Sequence, residues 1–222
     1  MRPSVLVFDV NETLSDLSPM AGHFAGIGCS DGTSRLWFAS LLRDGFALTA
    51  AGINPRFTDV AEDALRSVLA GQPVNRSVDD AVALLLDRFR NLGVHEDVIP
   101  GIEALTDSGH RLITLTNGAA AIAEGLAQRA GIEGSFEKFL SVEDAPLWKP
   151  APSAYGYAAG ACGTGVEDMM LIASHPWDID GAARAGMRTA WLNRNGSPYP
   201  SSFRRPDLVL TALRELAREL ES

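Results

Sequence analysis

Four short apolar runs, at residues 5–10, 111–116, 169–174 and 189–193, each break off into polar or glycine-rich residues, and helical patterns fill most of the intervals. Uninterrupted apolar runs of this length read as strands buried on both faces of a parallel sheet. Strands alternating with helices imply β-α units and an open, doubly wound α/β fold. Residues 139–142 and 207–210 are shorter strand candidates, and residues 213–220 close the chain as an amphipathic helix.

One interval breaks this rhythm. About a hundred residues separate Asp9 from the next run, far more than one crossover needs. Within it, Val78, Val82, Leu85, Leu86 and Phe89 recur at helical spacing, as do Phe57, Val60, Ala64 and Val68. Residues 34–51 are also rich in helix formers. The pattern predicts an α-helical cap at residues 15–95, inserted into a core of residues 1–14 and 96–222, where it hangs over Asp9 and excludes water.

Composition narrows the function. With 46% hydrophobic and 21% charged residues, the chain has the make-up of an ordinary globular protein. A formal charge of -9 argues against sequence-independent nucleic-acid binding but leaves room for a small anionic substrate. Cys29 and Cys162 lack metal-site spacing and read as free thiols of a reducing compartment. No apolar stretch is long enough to span a bilayer, and Arg2 followed by a strand containing Asp9 is not a signal peptide. The expectation is a cytoplasmic protein without a membrane partner.

Parallel strands with right-handed crossovers bring their carboxyl ends to one edge of the sheet, where open α/β folds bind ligands. At these ends stand Asp9, Asn11, Glu12 and Thr13, then Thr116 and Asn117, then Lys149-Pro150 in a loop, then Ser174, His175 and Asp178. Each has a plainer reading. Asp9 is a helix cap, Thr116 and Asn117 form a turn, Lys149 is a solvated lysine, and Asp178 is a helix N-cap. The ordered set is far more specific than any member.

That order resembles the haloacid dehalogenase-like hydrolase superfamily over essentially the whole chain, and within it the type II 2-haloacid dehalogenases, which carry a helical cap on a Rossmann-like core. Lys149-Pro150 with Tyr155, Trp177-Asp178 followed by Gly181-Ala182, and the segment 191–196 carry the similarity. The resemblance implies that Asp9 is a nucleophile displacing halide from a small 2-haloalkanoic acid, and that water hydrolyses the resulting aspartyl ester. It implies that Thr13 and Lys149 hold the Asp9 carboxylate and that Asp178 pairs with Lys149 and helps to activate the water. Thr116 and Asn117 would bind the substrate carboxylate or the ester oxygen, with Asn11, Tyr155, Ser174 and His175 completing the substrate site. It also implies a homodimer.

Two absences separate this chemistry from the phosphatases of the same superfamily. Asn11 stands where they place the aspartate that protonates an alkoxide leaving group, and a halide needs no such proton. Ser174 stands where they place an acid that helps to hold Mg²⁺, leaving Asp178 alone. No metal or other cofactor is therefore expected. Two departures from the dehalogenases remain. Phe38 occupies the position of the arginine that binds halide there, with Arg35 on nearly the same helical face and Arg43 turned away. His175 replaces an asparagine, and is read as an anion binder, a base, or a structural donor. The alternatives are a Mg²⁺-dependent phosphatase on a small phosphorylated metabolite and a catalytically silent binding protein on the same scaffold.

Overall fold

The computed structural model describes residues 3–221; Met1, Arg2 and Ser222, the extreme ends of the expected core segments, lie outside the described residues. Among the described residues the six strands are β1 Val5–Phe8, β2 Arg111–Thr116, β3 Phe136–Ser141, β4 Met169–Ala173, β5 Arg188–Leu192 and β6 Leu208–Leu210. They form one parallel sheet in the order β3-β2-β1-β4-β5-β6. The order reverses on either side of β1, the kind of switch point at which doubly wound sheets bind ligands.

Alternation along the strands explains why helices cover both faces, because successive side chains point to opposite sides. Val5, Val7, Ile113, Leu115 and Leu171 join one apolar cluster. Leu6, Phe8, Leu112, Met170 and Ile172 join the other. The second cluster lies under α5 Val98–Asp107, α6 Ala120–Ala130 and α9 Leu216–Glu221. The first continues into α7 Pro152–Cys162, α8 Pro176–Ala185 and the helices of the long interval. Those are α1 Pro19–Gly26, α2 Thr33–Ala50, α3 Phe57–Leu69 and α4 Val78–Arg90. Cys29 and Cys162 are both buried free thiols, and no helix among the described residues is long and apolar enough to cross a membrane.

The expected elements are present with shifted ends. β1 stops at Phe8 rather than residue 10: the Asp9 N–H still donates to the Ile172 carbonyl, but the Val10 carbonyl accepts from the N–H groups of Leu14 and Ser15 and turns the chain. β3 begins three residues earlier than the apolar run because Glu137 and Lys138 lie on the outermost strand, where polar side chains reach water. The closing helix opens with a 3-10 turn at Leu213–Glu215. The sequence pattern did not single out α1.

One contact ties the inserted helices to the loop that carries Lys149. Trp148 is fully buried, stacks on Phe57 at 5.7 Å between ring centroids, and donates its indole N–H to the Pro55 carbonyl at 2.8 Å. Its six-membered ring lies over Gly45 of α2, where a Cβ would collide with it. Gly45→Ala overpacks this contact and is expected to cost about 1–3 kcal/mol, measured as a lower midpoint in urea unfolding.

Candidate active site

Level pairing sets the site. Phe8 lies opposite Thr114 of β2 and Ile172 of β4, so the residues that follow all three strands emerge at one edge. Asp9 leaves β1 there and is 4% exposed. Its Oδ1 accepts from Lys149 Nζ at 2.9 Å and its Oδ2 from Thr13 Oγ1 at 2.6 Å. The same ammonium donates to Asp178 Oδ2 at 2.7 Å, and the other Asp178 oxygen accepts from the Tyr155 hydroxyl at 2.6 Å. Lys149 and Asp178 are fully buried.

These contacts decide the charges. Burial disfavours the Asp9 anion, but Lys149, His175 and the Thr13 hydroxyl overcome it and hold its pKa well below the usual carboxylate range. Burial likewise opposes the Lys149 cation, and the two carboxylates more than compensate, raising its pKa. Asp178 is raised by burial and by the nearby Asp9 charge against the pull of Lys149. Asp9 is therefore the more firmly ionised carboxylate of the pair.

His175 precedes α8 and keeps 13% of its side chain exposed. Its Nδ1 lies 3.3 Å from Asp9 Oδ2 and its Nε2 2.8 Å from Glu12 Oε2. Burial lowers its pKa, yet the bonds to Asp9 and Glu12 raise it to about 10. Both ring nitrogens then carry protons and donate. Trp177 stacks on the ring at 5.1 Å, and Phe38 approaches it at 6.4 Å. Glu12 has φ 61°, a left-handed conformation that costs a non-glycine residue about 1–3 kcal/mol. Its carbonyl accepts from His95 Nε2 at 3.1 Å and Arg194 Nη1 at 3.4 Å, and Arg194 is itself paired with Asp97.

A cavity of about 770 Å³ opens beside this cluster, its wall including Glu12, Arg35, Trp37, Phe38, Ser174 and His175. The Ser174 N–H donates to Thr13 Oγ1 at 2.9 Å, and its carbonyl accepts from the Trp191 indole at 2.9 Å. Asn11 is half-buried at the same edge, with its backbone bridged to Ser15.

Three residues expected at the substrate site brace their surroundings. The Asn117 amide spans the Lys149 backbone, donating to its carbonyl at 3.2 Å and accepting from its N–H at 3.0 Å. Thr116 Oγ1 accepts from the Gly118 N–H at 2.9 Å, so it stabilises the turn. The Tyr155 hydroxyl is spent on Asp178. All three are buried, and a small polar side chain at a strand end gave no warning of which way it would bond. Asp178 is not the N-cap of α8; that position is His175, and Asp178 lies in the first turn. Asp180 pairs with Arg184 and Arg43 with Asp44, so neither serves the site. Sequence reasoning assigned no role to Glu12, Arg194, Asp97 or His95. The signal for Glu12 was an acid and a histidine at neighbouring strand ends, both available to one pair.

The carboxylate oxygens of Asp9 and Asp178 accept from Lys149, Thr13 and Tyr155, so the positive charge beside both is supplied by the lysine ammonium.

Residues 3–186 match the family model of the haloacid dehalogenase-like hydrolases, and the chain belongs to that family. It is 28% identical over 213 residues to (S)-2-haloacid dehalogenase 2 of Pseudomonas sp. (strain CBS-3), covering 95% of this chain and 93% of that one. Haloacetate dehalogenase H-2 of Moraxella sp. (strain B) is 27% identical over 213 residues, covering 94% and 93%. A crystal structure of an L-2-haloacid dehalogenase superposes with a TM-score of 0.93 over 100% of both chains at 28% identity.

Lys149→Met strands two buried carboxylates, and is expected to cost about 3–5 kcal/mol at neutral pH. The deficit shrinks in acid as those carboxylates take up protons, which urea titrations across pH measure. The His175 pKa is raised from 6.5 to about 10, so its stabilising contribution is full below 6.5 and fades as pH rises through about 10. Nitrogen-15 NMR is expected to show His175 still doubly protonated at pH 8.

Proposed function

We propose that the protein is a 2-haloacid dehalogenase that works through an ester on Asp9. The observation that carries this reading is a single buried ammonium holding both Asp9 and Asp178. It keeps Asp9 ionised in a buried site and offsets the repulsion between two anions, the nucleophile and a substrate carboxylate. The relatives' names supply the substrate class, a small acid bearing halide on the carbon beside its carboxylate.

In the first step Asp9 Oδ attacks the halogen-bearing carbon from the side opposite the halide. The new C–O bond forms as the C–halogen bond breaks, and the halide leaves with the bonding pair. The proton-donating second aspartate that a phosphatase needs has no counterpart in Asn11. In the second step water adds to Cγ of the ester, restoring the Asp9 carboxylate and releasing a 2-hydroxy acid.

The remaining residues have supporting parts in this reading. Thr13 fixes one Asp9 oxygen, Ser174 fixes Thr13, and the Asn117 amide positions Lys149 through its backbone. Residues 15–95 form the cap over the core segments 1–14 and 96–222, with Trp37 and Phe38 of α2 presenting an apolar wall to the substrate carbon. Phe38 brings no charge, and the exposed cation nearest to it in sequence on the cavity wall is Arg35, which this reading makes the anion-binding group. The chemistry calls on no metal.

Incubation with L-2-chloropropionate is expected to release chloride, read by an ion-selective electrode. Asp9→Asn removes the nucleophile and is expected to abolish the release. Chloride at the same rate from both proteins rules the reading out.

A further inference from the structure

Both side-chain oxygens of Asp178 face inward to partners in the buried cluster. One accepts from Lys149, the other from Tyr155, and the side chain is fully buried. A base for the second step has to face both Asp9 and water. His175 does: its Nδ1 lies 3.3 Å from Asp9 Oδ2 and its ring forms part of the cavity wall. Behind it, Glu12 Oε2 takes the Nε2 proton at 2.8 Å. An imidazole with one nitrogen aimed at the reacting group and the other fixed by a carboxylate is the arrangement of a general base with its orienting acid.

Resting on the dehalogenase reading above, we propose that His175 is the general base that hydrolyses the Asp9 ester, and that Glu12 positions it. The ester itself switches the histidine on. While Asp9 is an anion, two carboxylates flank the ring and keep it doubly protonated, so it cannot take a proton. Alkylation of Asp9 removes one of those charges and turns its hydrogen-bonding oxygen into a weak acceptor. Glu12 alone then faces the ring, with the Lys149–Asp178 pair behind Asp9, Arg35 on the α2 wall, and Arg194 against the Glu12 carbonyl. The acidity of the imidazolium rises and its Nδ1 proton passes to solvent.

The cycle balances. Asp9 carboxylate and the haloacid give the ester and a halide. His175 releases one proton to water, the single proton produced in the overall reaction. Water then adds to Cγ as Nδ1 takes one of its protons. The tetrahedral intermediate expels the alkoxide, which takes up the other water proton as the hydroxy acid, and Asp9 returns as a carboxylate beside an imidazolium. His95 and Arg194, which bond the Glu12 carbonyl, hold the left-handed turn that aims the Glu12 carboxylate at Nε2.

The test separates the two steps by rapid-quench kinetics and intact-protein mass on the full chain with L-2-chloropropionate. His175→Asn is expected to release about one chloride per enzyme in a burst and then stall, with ester hydrolysis slowed about 100-fold or more and the Asp9 adduct accumulating in the spectrum. Glu12→Gln is expected to slow hydrolysis and to move its acid limb to lower pH, because the imidazolium loses its remaining anionic neighbour. A residue needed only for folding would not move that limb. Steady turnover of His175→Asn without adduct overturns the proposal, as does loss of the burst itself, which places His175 in the first step. Absence of chloride and adduct from the wild-type protein removes the dehalogenase reading and this proposal with it. Where His175→Asn does not fold, the wild-type ester's own decay decides: an acid limb supports the proposal and a pH-independent rate overturns it.

Discussion

The ammonium of Lys149, enclosed with the carboxylates of Asp9 and Asp178, is the interaction on which the rest of the site depends. Each of the three groups is costly to bury alone, and together they offset one another only while their geometry holds. The fold spends several residues on that geometry. Asn117 grips the lysine backbone, Tyr155 occupies the far oxygen of Asp178, and Thr13 fixes the near oxygen of Asp9. Much of what surrounds the nucleophile thus orients it and leaves the contact with substrate to others.

A second charge pair lies on the cavity side. His175 joins Asp9 to Glu12 across the mouth of the site, so the nucleophile has a fixed cation on its buried side and a titratable one on its open side. That division suits a reaction in two halves. The displacement needs a steady anion, which Lys149 secures, whereas the hydrolysis needs a group whose protonation changes when Asp9 loses its charge.

The sheet was legible because its strands are buried on both faces, and continuous apolar runs are hard to mistake when helices alternate with them. Strand ends were less so. β3 hid behind Glu137 and Lys138, which an outermost strand tolerates, and β1 ended early because the Val10 carbonyl was taken by the turn. At the site, Asp9, Thr13, Lys149 and Asp178 were legible as an ordered set, and the structure brings all four together. Thr116, Asn117 and Tyr155 were legible as members of the neighbourhood but not in their bonding, since a hydroxyl or amide serves a backbone as readily as a ligand. Glu12 was overlooked because its role depends on a left-handed backbone and on a histidine far away in sequence.

The packing of Trp148 on Gly45 has a consequence for how such a site adapts. Phe38 and Gly45 are seven residues apart on α2, which puts them on nearly the same helical face about 10 Å apart. One end of that face borders the substrate cavity, and the other presses on the residue next to Lys149. The helix is a lever with the pocket at one arm and the nucleophile's counterion at the other. Tilting it to admit a bulkier acid would push on Trp148 and disturb Lys149. Exchanging side chains along α2 therefore reshapes the pocket without moving the helix axis, which the packing of Trp148 on Gly45 ties to the loop that carries Lys149.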